Sequence, residues 1–207
     1  MFLVYTGHAQ SRIYLSGGLS TSLGGSTGTI LASNPTLPCF DLEWEKKIVG
    51  SMSLLTGVSL FGVGYSNTST LLGNKSTFRA NYVALPVMAR WNMFNKNNLY
   101  LDFGILTSYL VKAHLQETNT KFGVLQTADG DISAYSNPLL ICVKFQETIT
   151  INRFTIVLFV VAPFKGQSTI KNLQDHWLFN QQQSTYLLSN GYSSFLLTGL
   201  KIGVRIK

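Results

Sequence analysis

The sequence predicts an all-β protein: an eight-stranded antiparallel up-and-down transmembrane β-barrel. Three observations predict it. Charged residues make up only 12% of the 207-residue chain, against roughly a quarter in an ordinary soluble domain. Segments of alternating apolar and polar residues recur along the chain, while no apolar run approaches the ~20 residues that a spanning helix needs. The connections between these segments alternate between long and short without exception. In a barrel that alternation puts all tight turns at one rim and all long loops at the other, as in outer-membrane barrels.

The eight predicted strands cover about 12–23, 37–45, 51–65, 80–92, 98–112, 137–146, 153–164 and 192–207. Long, polar connections fall at 24–36, 66–79, 113–136 and 165–191, and short ones at 46–50, 93–97 and 147–152. An even strand number places both termini on the short-turn side, which is periplasmic in such barrels. The usage of Gly (18), Phe (13) and Tyr (9) suits crowded, tightly bent strands. Pro86 inside the fourth strand predicts a missing ladder bond and a local bulge.

Each strand has one apolar parity. It begins with Ile13, Leu15 and Leu19, continues through Phe40, Leu42 and Trp44, and ends with Leu200, Ile202, Val204 and Ile206. No charge falls on this parity in any predicted strand. The other parity carries small and polar residues together with Asp41, Glu43, Arg90, Asp102, Lys144, Lys201 and Arg205. An eight-stranded barrel has an interior only just wide enough for its side chains. Two Trp, several Phe and many Leu and Ile would overfill it, so the apolar parity must face outward to lipid. The seven charges then form a paired network that plugs the lumen. Trp44, Trp91, Phe145 and Phe154 form an aromatic girdle near the short turns. The reversed arrangement, a soluble carrier with an apolar cavity, requires a charged exterior that this composition lacks.

Residues 1–10, "MFLVYTGHAQ", read as the remnant of an export signal, leaving 11–207 as one barrel domain. Net charge is +7, but the sixteen Lys and Arg are scattered, and nucleic-acid binding is not expected. The two cysteines, Cys39 and Cys142, lie in different predicted strands and read as buried free thiols. Nothing has metal-ligand spacing, and no cofactor is expected.

The stretch "YVALPVMARWNMFNKNNLYLDFGILTSYLV" (82–111) resembles the PorT-like outer-membrane β-barrel family of the Bacteroidetes. Tyr82, Leu85 and Pro86 match the first strand of its motif; Leu99, Tyr100, Leu101 and Gly104 match the second. "LLTGVSL" (54–60) is similar to the strand before. The resemblance implies a small OmpA- or OmpX-like barrel of the Gram-negative outer membrane and no particular activity. The chain departs from such barrels in finishing on Ile206-Lys207 rather than on an aromatic residue.

Some barrels of this size modify lipids, a chemistry that needs a Ser, a His and an acid grouped near the outer leaflet. His114 lies near Ser108 and Glu117, and His176 follows Asp175. No spacing singles out either one, and no catalytic residue is assigned. The expected function is non-enzymatic: a barrel in contact with outer-membrane lipid, acting through external loops or as an accessory subunit of an envelope complex. A lipid-modifying enzyme and a small pore are the alternatives. Trp177, Phe179 and Tyr186 in the last long loop are the candidate contacts for a partner protein.

Overall fold

A computed structural model describes residues 11–23, 30–32, 34–69, 74–93, 98–121, 124–164 and 195–206. The eight wall strands are β1 (Ser11–Leu23), β3 (Thr36–Val49), β4 (Met52–Ser69), β5 (Asn74–Asn92), β6 (Leu99–Lys121), β8 (Leu139–Ile151), β9 (Phe154–Pro163) and β10 (Leu196–Arg205). Each pairs antiparallel with its sequence neighbour in the wall, and β1 pairs with β10 to close the barrel. Two short strands stand outside the ring: β2 (Ile30–Ala32) pairs with the end of β4, and β7 (Val124–Asp131) with the end of β6. Closure satisfies the edge groups of every wall strand, which a lipid surroundings demands.

The wall is taller than the sequence pattern suggests. The 66–79 connection is mostly strand, with β4 and β5 still paired at Ser69 and Asn74. Most of the 113–136 connection belongs to the β6–β7 hairpin. These polar segments lack apolar alternation because they rise beyond the belt where lipid selects it. At the other rim, β8 continues to Ile151 and turns through Asn152 and Arg153 into β9. Asn152 takes φ 58° there, a left-handed geometry that Asn tolerates and a tight hairpin needs.

Two local features shape the wall. Gly104 on β6 faces inward, where a Cβ would lie 2.2 Å from the Val87 carbonyl and 2.7 Å from Met88 Cγ. Only glycine lets β5 approach so closely. The bulge lies elsewhere than Pro86 suggests. The β5–β6 register shifts between Asn81 and Tyr82, leaving Val111 as an extra residue on β6. Pro86 keeps its β6 partner Leu106, and the β4–β5 pairing is interrupted beside it without a shift.

Along the wall the outward parity is exposed and apolar: Leu15, Leu42, Leu60, Val87, Phe103, Leu158 and Ile202 are each about half exposed or more. The opposite parity is buried almost completely. This is the reverse of a soluble barrel, and it leaves a belt of aliphatic and aromatic side chains around the outside.

Candidate functional site

The interior has two storeys. The lower, toward the short turns, is charged. Asp41, Glu43 and Glu45 alternate down the inward face of β3; Arg90 comes from β5, Asp102 from β6, Lys144 from β8 and Lys201 from β10. Arg90 is 1% exposed and grips Asp102 with two hydrogen bonds of 2.7 Å. It donates further to Glu45 and Thr148, each at 3.3 Å. The rings of Tyr14 and Tyr100 each lie 5.0 Å from the guanidinium carbon. A planar, delocalised cation suits this site, because it bonds in its plane and stacks on its faces. Tyr14 also donates to Glu45 at 2.6 Å.

The second half of the network is built on lysine. Lys144 Nζ donates to Asp41 at 3.0 Å and to Glu43 at 3.2 Å. Lys201 also pairs with Asp41, and its ammonium lies 4.4 Å from the Phe159 ring centre. Gln146 joins the halves, donating to Asp102 at 2.7 Å and to Glu43 at 3.4 Å. With Arg12, 3.9 Å from Glu45, four cations face four carboxylates. The balance fits the rule that buried charge must be paired.

Six of the seven lumen residues expected from the sequence thus share one network. Arg205 does not join them: it lies at the lower rim and donates to the Asn152 carbonyl at 3.2 Å. Glu45 and Arg12 are the members that sequence reasoning missed. Both continue the inward parity of Asp41, Glu43 and Tyr14, but each falls where a predicted strand ends.

The upper storey is apolar, which corrects the expectation of a small and polar interior. Phe61, Val63, Phe78, Ala84, Leu106, Leu115, Leu140, Phe159, Val161 and Leu197 are buried there, together with Cys39 and Cys142. Phe61 stacks on Tyr82 with centroids 5.6 Å apart. Both cysteines are free thiols. The signal was present in "FTIVLFVVAPF", which is apolar on both parities.

A cavity of about 570 Å³ opens at the lower mouth, bordered by Arg12, Glu45, Ser53, Asn92 and Tyr100. Its inner end meets the Arg90 cluster through Glu45 and Tyr100.

Outside, Trp44, Trp91 and Phe154 stand exposed toward the lower rim, with the Trp91 indole donating to Ser51 in the short turn at 3.1 Å. Phe145 is exposed as well, but it sits well up β8 opposite Phe103, inside the belt rather than at its edge. The outward face also carries a charge that the shorter predicted strand left out. Glu147 follows Phe145 on the extended β8, half-buried between Leu101 of β6 and Leu158 of β9.

The candidate enzyme site around His114 does not assemble. Ser108 is fully buried inside the barrel, as is Glu117, whereas His114 lies on the outer face beside Asp129 at 3.2 Å. Ser133 donates instead to Asp131 at 2.6 Å. The Ser133 hydrogen bonds hold the Asp131 carboxyl below its usual range. Among the described residues no group of His, Cys, Asp and Glu is arranged to hold a metal. His8, His176, Trp177, Phe179 and Tyr186, and the proposed signal remnant 1–10, lie outside the described residues.

The fold and its interior define a closed eight-stranded antiparallel barrel with a lipid-type exterior. Among solved structures, the chain is similar to Ail, the attachment invasion locus protein of Yersinia pestis, with TM-score 0.46 and 10% identity over 95% of this chain and 99% of that one. CarO of Acinetobacter baumannii gives TM-score 0.49 and 12% identity over 90% and 96% of the two chains. Neisserial surface protein A gives 0.41 and 9% over 93% and 98%. These are similarities of fold, and the barrel assignment rests on the strand pairing itself. No family model and no curated protein matches the sequence, so the PorT-like resemblance stands on residues 54–60 and 82–111 alone.

Proposed function

We propose that the chain is an integral protein of the Gram-negative outer membrane, without enzymatic activity and without a through-channel. It acts through the segments beyond the long-loop rim or as an accessory subunit of an envelope complex for secretion, assembly or uptake. The observation that carries this reading is the filled lumen inside an apolar wall. A paired charge network occupies the lower interior and close-packed apolar side chains the upper. Solute passage would have to break both. What remains to contact a partner is the polar β4–β5 and β6–β7 hairpins and the 165–194 segment with Trp177, Phe179 and Tyr186. The termini are periplasmic in this reading, because β1 starts and β10 ends at the short-turn rim. The PorT-like resemblance supports an envelope role of the same kind.

Two measurements test the reading. Protease added to intact cells is expected to cut within 165–194 and to spare Lys46 and Lys47; cleavage confined to the short turns would invert the topology. Extraction in mild detergent with an affinity tag is expected to recover a stoichiometric envelope protein, lost on Trp177→Ala with Phe179→Ala. Recovery unchanged by those substitutions would remove the loop from the proposal.

A further inference from the structure

The bulge at Val111 has a second effect on the wall. Below it, the outward residues of β6 are Leu101, Phe103, Ile105 and Tyr109. One extra residue reverses the parity, so Lys112, His114 and Gln116 point outward above it, while Ala113 and Leu115 fill the lumen. Without the bulge, Lys112 and His114 would be driven into the apolar upper storey. On β5 the outward parity runs unbroken from Val83 to Asn81 and Arg79. Arg79 is the cross-strand partner of His114, and Asn81 that of Lys112. Arg79 and Lys112 are therefore diagonal neighbours, within reach of one ligand.

These residues line an outer-face groove of about 230 Å³, with Asp129 on the third side. His114 is hydrogen-bonded to Asp129, and Asp131 accepts from Ser133 while its carboxylate also attracts Lys112 and His114 at longer range. Among the described residues, neither Arg79 nor Lys112 has an ion pair. The position is as telling as the charge. The outward apolar residues of β5 and β6 end at Val83 and Val111, and the cations Arg79 and Lys112 begin directly beyond them. This is the height at which a bilayer changes from acyl chains to headgroups. A guanidinium presents a planar fork to phosphate oxygens, and an ammonium adds a point charge.

We infer that Arg79 and Lys112 form a binding site for the phosphate of an outer-leaflet lipid, whose acyl chains lie against the belt below Val83 and Tyr109. The inference rests on the membrane reading proposed above. A freely diffusing anion is the weaker candidate, because it would make no use of the apolar surface adjoining the groove.

The test uses full-length protein folded in zwitterionic detergent, with folding followed by heat-dependent gel mobility. Titration with diphosphorylated lipid A is compared with titration by inorganic phosphate. Arg79→Gln with Lys112→Gln is expected to weaken lipid binding by about tenfold or more, as loss of two charge-assisted contacts requires. Lys46→Gln, at the opposite rim, is expected to leave it unchanged. Equal lipid affinity in the double variant, an equal loss in Lys46→Gln, or inorganic phosphate binding as tightly as lipid would overturn the site. Failure of the membrane reading looks different, since the protein would then remain folded and soluble without detergent.

Discussion

The two storeys of the lumen fill the same cross-section by opposite means. Below, Arg90, Lys144 and Lys201 meet Asp41, Glu43, Glu45 and Asp102 in partnerships in which each charged group has an assigned mate. Above, Phe61, Leu106, Leu140 and Phe159 exclude water by volume, with no assigned mates. The lower storey is specific and fragile, because one missing partner strands a buried charge. The upper is forgiving of shape but not of lost volume. The ammonium of Lys201 over the Phe159 ring is the seam between them.

That difference can be broken or sharpened by substitution, with urea unfolding in detergent as the measurement. The largest effect is expected for Arg90→Met, which strands Asp102 and should cost ~3–5 kcal/mol. Adding Asp102→Leu should recover most of it, since paired removal of buried charge is often near neutral. A double variant as unstable as the single one would refute the mate-by-mate account. In the upper storey Leu140→Ala should cost ~2–5 kcal/mol through its cavity. Gln146 of the network is roughly 20 Å from Leu140 along β8, so Leu140→Ala and Arg90→Met should add within ~0.5 kcal/mol. Strong coupling would merge the storeys into one unit.

The wall itself sharpens the contrast between inside and outside. Leu200→Arg, on the outward face in the middle of β10, should cost ~2–4 kcal/mol and impair insertion. The neighbouring Lys201 carries its charge one residue away at no such cost, because it points inward to Asp41. The smallest effect is expected for Tyr14→Phe, which removes the hydrogen bond to Glu45 but keeps the ring against Arg90. About 1 kcal/mol is the usual scale for one such bond. A much larger loss would mean that the hydroxyl, rather than the ring, positions Arg90.

The wall was legible because lipid imposes a strict period of two on the belt strands and charge is rare there. Six lumen charges followed from the same parity. What escaped has physical reasons. Parity says which way a side chain points but not at what height, so the apolar storey of Phe159 and Val161 was hidden within a run that is apolar on both faces. Strand ends are where the alternation is hardest to read: Arg12 and Glu45 are the end residues of their predicted strands, and Glu147 falls just beyond the limit of its own. The bulge at Val111 leaves no compositional mark, yet it decides that His114 faces outward, away from Ser108.

The account's central claim, a lumen closed by both storeys, is tested most directly by planar-bilayer recording of the purified protein. The account predicts no steady single-channel conductance, either for the natural chain or for Arg90→Met with Asp102→Leu, because the apolar storey above still closes the barrel. A steady conductance in the natural chain, with ion selectivity altered by Arg90→Ala, would contradict it and establish a pore through the charged network.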